Sequence, residues 1–341
     1  EERILFNAAA VAQNGKILGV YRKQLLPNYS VFDEERYFTP GPSIQDIFTC
    51  NGIPFAVSIC EDLWVGDPTE QQAQQGAKLC ISINGSPFHR NKPTQRDDLV
   101  SSRAQSNGVV VAYVNQIGGQ DELVFDGGSM VADARGVIQA RAATFAEDLL
   151  VCDISASGDV VCVSAPLEAE SASSELERVH AALVLGTRDY VQKNGFTDVV
   201  IGLSGGIDSA LVAAIAVEAL GAEHVHGVSM PSRYSSVGSK DDAYELAQNL
   251  NMPYQAVPIE PAFAAYLSML EESFAGKAED LTEENLQSRV RGMILMALSN
   301  KHGWMVLTTG NKSELAVGYF TLYGDSVGGF GIIKDVLKTT V

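Results

Sequence analysis

Two groups of residues in this chain have types and spacings suited to chemistry. The first is the run Ser204-Gly205-Gly206-Ile207-Asp208-Ser209. It follows an apolar, β-branched stretch, Val199 to Leu203, and precedes Ala210 to Leu220, which is rich in Ala and Leu and stops at Gly221. The pattern reads as a buried strand, a glycine turn and a buried helix. Glycines let the main chain approach an anion, and free N–H groups at a helix N-terminus point at it, with the helix dipole adding to the attraction. The run has neither the lysine of G-x-x-x-x-G-K-S/T nor the spacing of G-x-G-x-x-G. It offers instead two hydroxyls, Ser204 and Ser209, as donors to phosphate oxygens. Its acid, Asp208, implies a magnesium ion bridging carboxylate and phosphate. The plainer alternative is a glycine-rich turn in an ordinary α/β unit.

The second group centres on Cys60. It ends the apolar stretch Ile53 to Ile59 and opens the polar turn Glu61-Asp62-Leu63-Trp64, a usual place for a nucleophile. A thiol there needs a lowered pKa or a base beside it. Glu61 and Asp62 would raise the pKa, so a cation or proton acceptor must come from elsewhere. Lys23, in the basic-apolar stretch Tyr21 to Pro27 and shortly before Leu25-Leu26-Pro27, is the candidate. The alternatives are an inert buried cysteine and a lysine that snorkels to water.

The elements that must position these groups divide the chain in two. At 341 residues two domains are expected. We place them at residues 1–160 and 175–341, with a Ser-, Ala- and Glu-rich linker at 161–174. In the first half, Ile4 to Val11 and Ile17 to Tyr21 flank Asn14-Gly15, a hairpin signal. Strands are expected at 53–59, 77–83 and 109–114, a helix at 96–107, loop at 115–128, and a second hairpin from 129–131 and 136–140. In the second half, helices at 175–193, 210–220, 239–251 and 280–300 alternate with strands at 199–203, 224–230, 254–259 and 304–309. Ser239 is expected to cap its helix, and Asp280 with Glu283 to form a capping pair. Leu286, Val290, Met293, Ile294 and Ala297 are expected as the apolar stripe of the last helix; Arg289 borders that stripe and Arg291 does not, and both also fit a solvated face. Alternating strands and helices make a doubly wound parallel sheet, with ligand at the carboxyl ends of its strands.

Net charge is −18, with both halves acidic. That argues against nucleic acid as a partner. No apolar run reaches membrane-spanning length and no signal peptide is evident, so a cytoplasmic location without membrane partner is expected. The five cysteines show no CxxC pattern; Cys50, Cys80, Cys152 and Cys162 are read as core thiols. Both ends of the chain read as cut.

Longer motifs add a resemblance. Arg22-Lys23-Gln24-Leu25-Leu26-Pro27, Phe32 to Phe38, Ser58 to Trp64 and Asn84-Gly85-Ser86-Pro87-Phe88 resemble the nitrilase family. The resemblance implies an α-β-β-α sandwich, with Cys60 as nucleophile, Lys23 as the lysine of a Glu-Lys-Cys triad and Glu34 as a further glutamate. It also implies that Glu61 and Ser86 hold the amino-acid end of glutamine. The family's triad glutamate lies well upstream of its lysine. Nothing here matches it, since Glu1 and Glu2 are too close, so this half either continues upstream or is inactive.

The second half is similar to NAD synthetases, and the S-G-G-x-D-S run to the PP-loop of ATP pyrophosphatases. The similarity rests on Ser204 to Ser209, Met230 to Ser236, Asn285 to Met293, Thr308 to Glu314 and Tyr319 to Asp325. Behind a nitrilase-like half, it points to the glutamine-dependent form. It implies ATP at Ser204, Gly205, Gly206, Ile207, Asp208, Ser209, Met230, Arg289, Thr309 and Lys338. It implies deamido-NAD at Asn285, Arg291 and Asp325, and magnesium at Asp208 and Glu314. The implied partners are deamido-NAD and glutamine or ammonia, and a homo-oligomer is expected. The alternatives are another PP-loop amidotransferase, of the kind that makes GMP or asparagine, and a non-catalytic scaffold.

Overall fold

The computed structural model describes residues 4–65, 67–155, 157–162 and 174–341, apart from the side chains of Asp67 and Cys162. Most of the expected linker, from 163 to 173, lies outside the described residues, as do Glu1 and Glu2. The chain divides into two compact units, residues 1–118 with 122–182, and residues 119–121 with 183–341.

In the first unit the Asn14-Gly15 turn joins β1 (Ala8–Gln13) to β2 (Lys16–Arg22) as an antiparallel hairpin. Then come β3 (Phe48–Cys50), β4 (Ile53–Ile59), α1 (Glu61–Trp64), α2 (Asp67–Gln74), β5 (Leu79–Asn84), α3 (Lys92–Asn107) and β6 (Val110–Asn115). The hairpin pair β7 (Ile117–Gln120) and β8 (Leu123–Asp126) follows, then β9 (Met130–Ala132), β10 (Ile138–Arg141), β11 (Cys152–Ile154) and β12 (Val160–Cys162). A six-stranded sheet runs in the order β10-β9-β6-β5-β4-β3, with β4, β5 and β6 parallel. Strand β4 is buried on both faces. Val57 and Ile59 meet Tyr21, Ala9 and Val11 of the hairpin. On the opposite side Leu63, Val100 and Ala104 of the helices pack on Cys80, Val111 and Tyr113. Burying each such aliphatic side chain contributes about 1.5–3 kcal/mol. Helix, sheet and hairpin layers are thus those of the expected nitrilase-like sandwich.

The second unit starts with α4 (Glu175–Lys193), which spans the division, and continues through β13 (Val199–Gly202), α5 (Ile207–Leu220), β14 (Val225–Ser229), α6 (Val237–Asn249), β15 (Tyr254–Ala256), α7 (Glu260–Leu270), α8 (Leu281–His302), β16 (Met305–Thr308), α9 (Lys312–Val317) and β17 (Phe330–Gly331). Its sheet has the order β15-β14-β13-β16-β17, all parallel. Val199, Ile201 and Leu203 face α5 and α6, while Val200 faces α8. The central strand therefore has no polar side, which is why its sequence shows no alternation. Strand order reverses at β13, where the next strands in sequence lie on opposite sides. The crevice above its carboxyl end is the switch point of the sheet.

Several local expectations are corrected. Residues 115–128 are not loop: β7 and β8 pair across a turn at Asp121, whose φ is +50°, and the glycines at 118 and 119 hid the pattern. Helix α7 was not foreseen. The cap of α6 is Ser236, whose side chain accepts from Ser239 N, so Ser239 lies inside the first turn. The Asp280–Glu283 capping box is present. The buried face of α8 is Gln287, Val290, Gly292 and Leu295, while Met293 is exposed. A Cβ on Gly292 would lie 2.9 Å from Gly324 O and 3.0 Å from Tyr323 O. That close approach turns the helix from the simple stripe. Cys80 is buried as expected, Cys50 is exposed on the short edge strand β3, and Cys152 is half-buried.

Candidate functional site

The thiol site forms where β4 ends. Cys60 has φ +46° and ψ −98°, a strained conformation for a residue with a side chain. Its amide donates to Ile83 O of β5 at 3.0 Å. Lys23, just past β2, is 1% exposed and its ammonium meets Glu34 Oε1 at 2.5 Å. It does not snorkel. Asn7 Nδ2 donates to the other oxygen of Glu34 at 3.4 Å. Burial pushes the Cys60 thiol above its ordinary value. The Lys23 charge opposes this, Glu61 and Glu34 add to it, and a hydrogen bond from the Gly85 backbone opposes it. Lys23 is thus a buried cation whose charge acts on the thiol.

Glu61 heads α1, and the Tyr29 hydroxyl donates to both its oxygens at 3.0 Å. Burial, then the Glu61 carboxylate, pushes the Tyr29 hydroxyl up to about 12. Asp62 does not act on the thiol as expected. Its carboxylate is wholly buried and turned away, accepting from Tyr21, Gln24, Leu25 and Ile59. Ser86 is held on every side. Its amide donates to Asn115 Oδ1 at 3.0 Å, its carbonyl accepts from Arg96 Nη2 at 2.7 Å and its hydroxyl accepts from Arg96 Nε at 3.2 Å. Arg96 is in turn paired with both oxygens of Asp126 at 2.7 Å, and both side chains are 2% exposed.

The phosphate-type turn follows β13. Helix α5 begins at Ile207, earlier than Ala210, so Asp208 and Ser209 lie in its first turn. Gly205 has φ +81°, and a Cβ there would lie 2.3 Å from Ser239 O of α6. Only glycine fits this backbone against that helix. Ser204 is exposed and accepts from Gly206 N at 3.2 Å. Ser209, expected as a second donor to phosphate, is 2% exposed and donates to Gly206 O at 3.0 Å. It braces the turn from within.

A cavity of about 360 Å³ opens at this turn. Gly202 to Ser204, Ser229 to Pro231 and Leu307 to Thr309 line it, at the carboxyl ends of β13, β14 and β16. Arg291 and Asp325 line it too. Arg291 donates to Met230 O at 3.0 Å, and burial lowers its pKa. Arg289 is exposed, donates to Leu322 O at 3.2 Å and does not line the cavity. Asn285 accepts from the Thr321 hydroxyl at 2.8 Å, and Asp325 accepts from Thr321 N at 2.7 Å. Lys338 pairs with Asp208 Oδ2. Asn311, fully buried, donates to Asp208 Oδ1 at 3.1 Å and shares a capping box with Glu314.

Among the described residues no three His, Cys, Asp or Glu side chains form a metal-binding group. Two carboxylates tied to one asparagine still fit magnesium, which takes one or two carboxylates and completes its shell with phosphate and water. Among the described residues no helix is long and apolar enough to cross a membrane.

Comparison with known proteins matches residues 1–158 to the carbon-nitrogen hydrolases and residues 179–341 to the NAD synthases. The glutamine-dependent NAD(+) synthetase of Thermotoga maritima is 48% identical over 98% of this chain and 64% of its own length. That of Xylella fastidiosa is 49% identical over 99% of this chain and 62% of its own length. The chain is similar to glutamine-dependent NAD(+) synthetases over nearly its whole length. The solved glutamine-dependent NAD(+) synthetase from Acinetobacter baumannii, a complex with ADP, superposes with a TM-score of 0.94 at 44% identity, over 98% of this chain and 63% of that one. The chain thus spans less than two thirds of the length of these relatives.

Sequence reasoning missed Tyr29, Arg96, Asp126 and Asn311. Asn311-Lys312-Ser313-Glu314 carried a legible signal, a capping-box spacing. Arg96 and Asp126 are 30 residues apart, and nothing local marks their pairing.

Proposed function

We propose that this chain carries the synthetase centre and the Cys60–Lys23 part of the glutaminase centre of glutamine-dependent NAD synthesis, with ATP, deamido-NAD and glutamine as substrates. The observation that carries this reading is the cavity at the Ser204–Ser209 turn, in a chain whose other unit holds a strained Cys60 and a buried lysine.

The carboxylate of deamido-NAD is a poor electrophile. Transfer of the adenylyl group from ATP makes a mixed anhydride and releases pyrophosphate. Ammonia then attacks the activated carbonyl, and AMP leaves. This chemistry needs positioning and charge, and no nucleophile from the protein. Backbone amides of Gly205 and Gly206 and the Ser204 hydroxyl would hold phosphate oxygens. Ile207 opens the helix whose N-terminus faces them, and Ser209 keeps the turn in shape. Met230 and Thr309 would border the nucleoside. Arg289 and Lys338 do not line the cavity and would meet the outer phosphates. Asn285, Arg291 and Asp325 would meet deamido-NAD. Asp208 and Glu314 would hold magnesium, which when bound offsets charge on the departing pyrophosphate.

In the first unit the Cys60 sulfur would attack the carboxamide carbon of glutamine, and the thiol's proton would pass to the nitrogen that departs as ammonia. Lys23 would stabilise the thiolate and the oxyanion that follows, and Glu34 would hold the lysine. Ammonia leaves a thioester, which water hydrolyses to glutamate. A carboxylate at Glu61 suits the α-ammonium of glutamine, and Ser86 offers the amino-acid end a fixed hydroxyl. The test is the product of full-length protein given ATP, magnesium, deamido-NAD and either ammonium or glutamine. AMP with pyrophosphate is expected from both, and ADP would overturn the reading.

A further inference from the structure

The thiol site depends on two chain segments far apart in sequence, the chain just past β2 with Lys23 and the chain just past β4 with Cys60. Lys23 itself is tied on one side, where its amide donates to Asn7 O at 2.8 Å and its carbonyl accepts from Gly41 N at 2.8 Å. Beyond Lys23 the chain leaves the hairpin, and the next two amides have no strand to pair with. Both end on one oxygen of Asp62, Gln24 N at 3.1 Å and Leu25 N at 2.8 Å. The other oxygen accepts from the Tyr21 hydroxyl at 2.8 Å and from Ile59 N at 3.2 Å. Ile59 is the residue just before Cys60.

A buried carboxylate is costly, and this one is pushed up by burial even with four donors around it. Helix capping accounts only for the bond to Ile59. The bonds to Tyr21, Gln24 and Leu25 reach across 37 to 41 residues, and a four-residue helix has no need of them. We propose that Asp62 is the positioning residue of the thiol site: one buried carboxylate joins the strand that delivers Cys60 to the segment that delivers Lys23, and so fixes the lysine at the thiol. It touches neither the thiol nor a substrate. This inference rests on the glutaminase reading of the first unit.

The test uses the full-length protein and Asp62→Asn. Asparagine keeps an oxygen for Gln24 and Leu25 but sets an N–H group against the Ile59 amide. Turnover of glutamine is expected to fall by about 10²-fold, with its KM changed far less. The pH midpoint for alkylation of Cys60 by iodoacetamide is expected to rise by about one unit as the lysine drifts away. A purely structural role would lower the melting temperature and leave that midpoint in place, which would overturn the proposal. Tyr21→Phe removes one bond and no charge, and should move turnover and midpoint the same way by a smaller amount. If Asp62→Asn does not fold, Tyr21→Phe decides alone, and an unchanged midpoint there counts against the proposal. Should the parent protein fail to hydrolyse glutamine, the functional reading falls, while the alkylation comparison still tests Asp62.

Discussion

The two candidate sites are built on opposite plans. At Cys60 the structure fixes side chains: a buried lysine, a buried aspartate, a buried Arg96–Asp126 pair and a serine held at its amide, carbonyl and hydroxyl. At Ser204 to Ser209 it fixes main chain: a left-handed glycine, a helix N-terminus and a serine that bonds back to the turn. The first plan suits a covalent step, in which one sulfur must meet one carbon. The second suits an anion whose charge is spread over many oxygens. The contrast teaches where each unit is fragile. The first should fail by losing a side chain, the second by gaining a Cβ.

The largest effect that would sharpen this contrast is expected from Cys60→Ala. Glutamine-supported synthesis should fall by at least roughly 10⁴-fold while ammonium-supported synthesis stays within about twofold. Parallel loss of both, followed as NAD formed, would dissolve the division of labour. Next is Arg96→Met, which strands Asp126 without its partner in the core and frees Ser86. We expect the first unit to lose about 3–5 kcal/mol of stability by denaturant titration. A neutral change would mean that the pair is not holding the site. Gly205→Ala should cost about 10²-fold in both the glutamine- and ammonium-supported reactions, since the added carbon meets Ser239 O and the backbone is left-handed. Loss confined to the glutamine reaction would contradict the main-chain plan.

The smallest effect concerns pH. Burial holds the Cys60 thiol above its ordinary value of 9.0, so the free enzyme is mostly thiol at neutral pH. The thiolate fraction rises as protons leave. Alkylation of Cys60 should therefore quicken about tenfold per pH unit from 7 to 9. A plateau below pH 8 would show that Lys23 outweighs burial.

Much of the second site was legible in sequence because its plan is local. Val199 to Leu203, two glycines and an Ala-rich helix stand in one run of residues, and their order dictates the turn. Asp208 and Glu314 are farther apart, yet each sits where a strand gives way to a helix. The first site was legible only at its two reactive residues. Lys23 betrayed itself by its place in a basic-apolar stretch before Leu25-Leu26-Pro27, and Cys60 by ending a buried strand. Their supports were not legible. Asp62 reads as one more acid beside the cysteine, and only the fold shows it turned away to Gln24 and Leu25. Arg96 reads as the start of a polar helix. The stripe of α8 misled because Gly292 lets another segment lie against the helix, a tertiary event that no periodicity records.

The most direct test of the account is the origin of the nitrogen. Full-length protein would be given glutamine labelled with ¹⁵N at its side-chain amide, together with ATP, magnesium, deamido-NAD and no added ammonium. Mass spectrometry of the dinucleotide product should find NAD one mass unit heavier than the unlabelled compound. Unlabelled NAD, or no NAD at all, would contradict the claim that Cys60 and the Ser204–Ser209 turn serve one reaction.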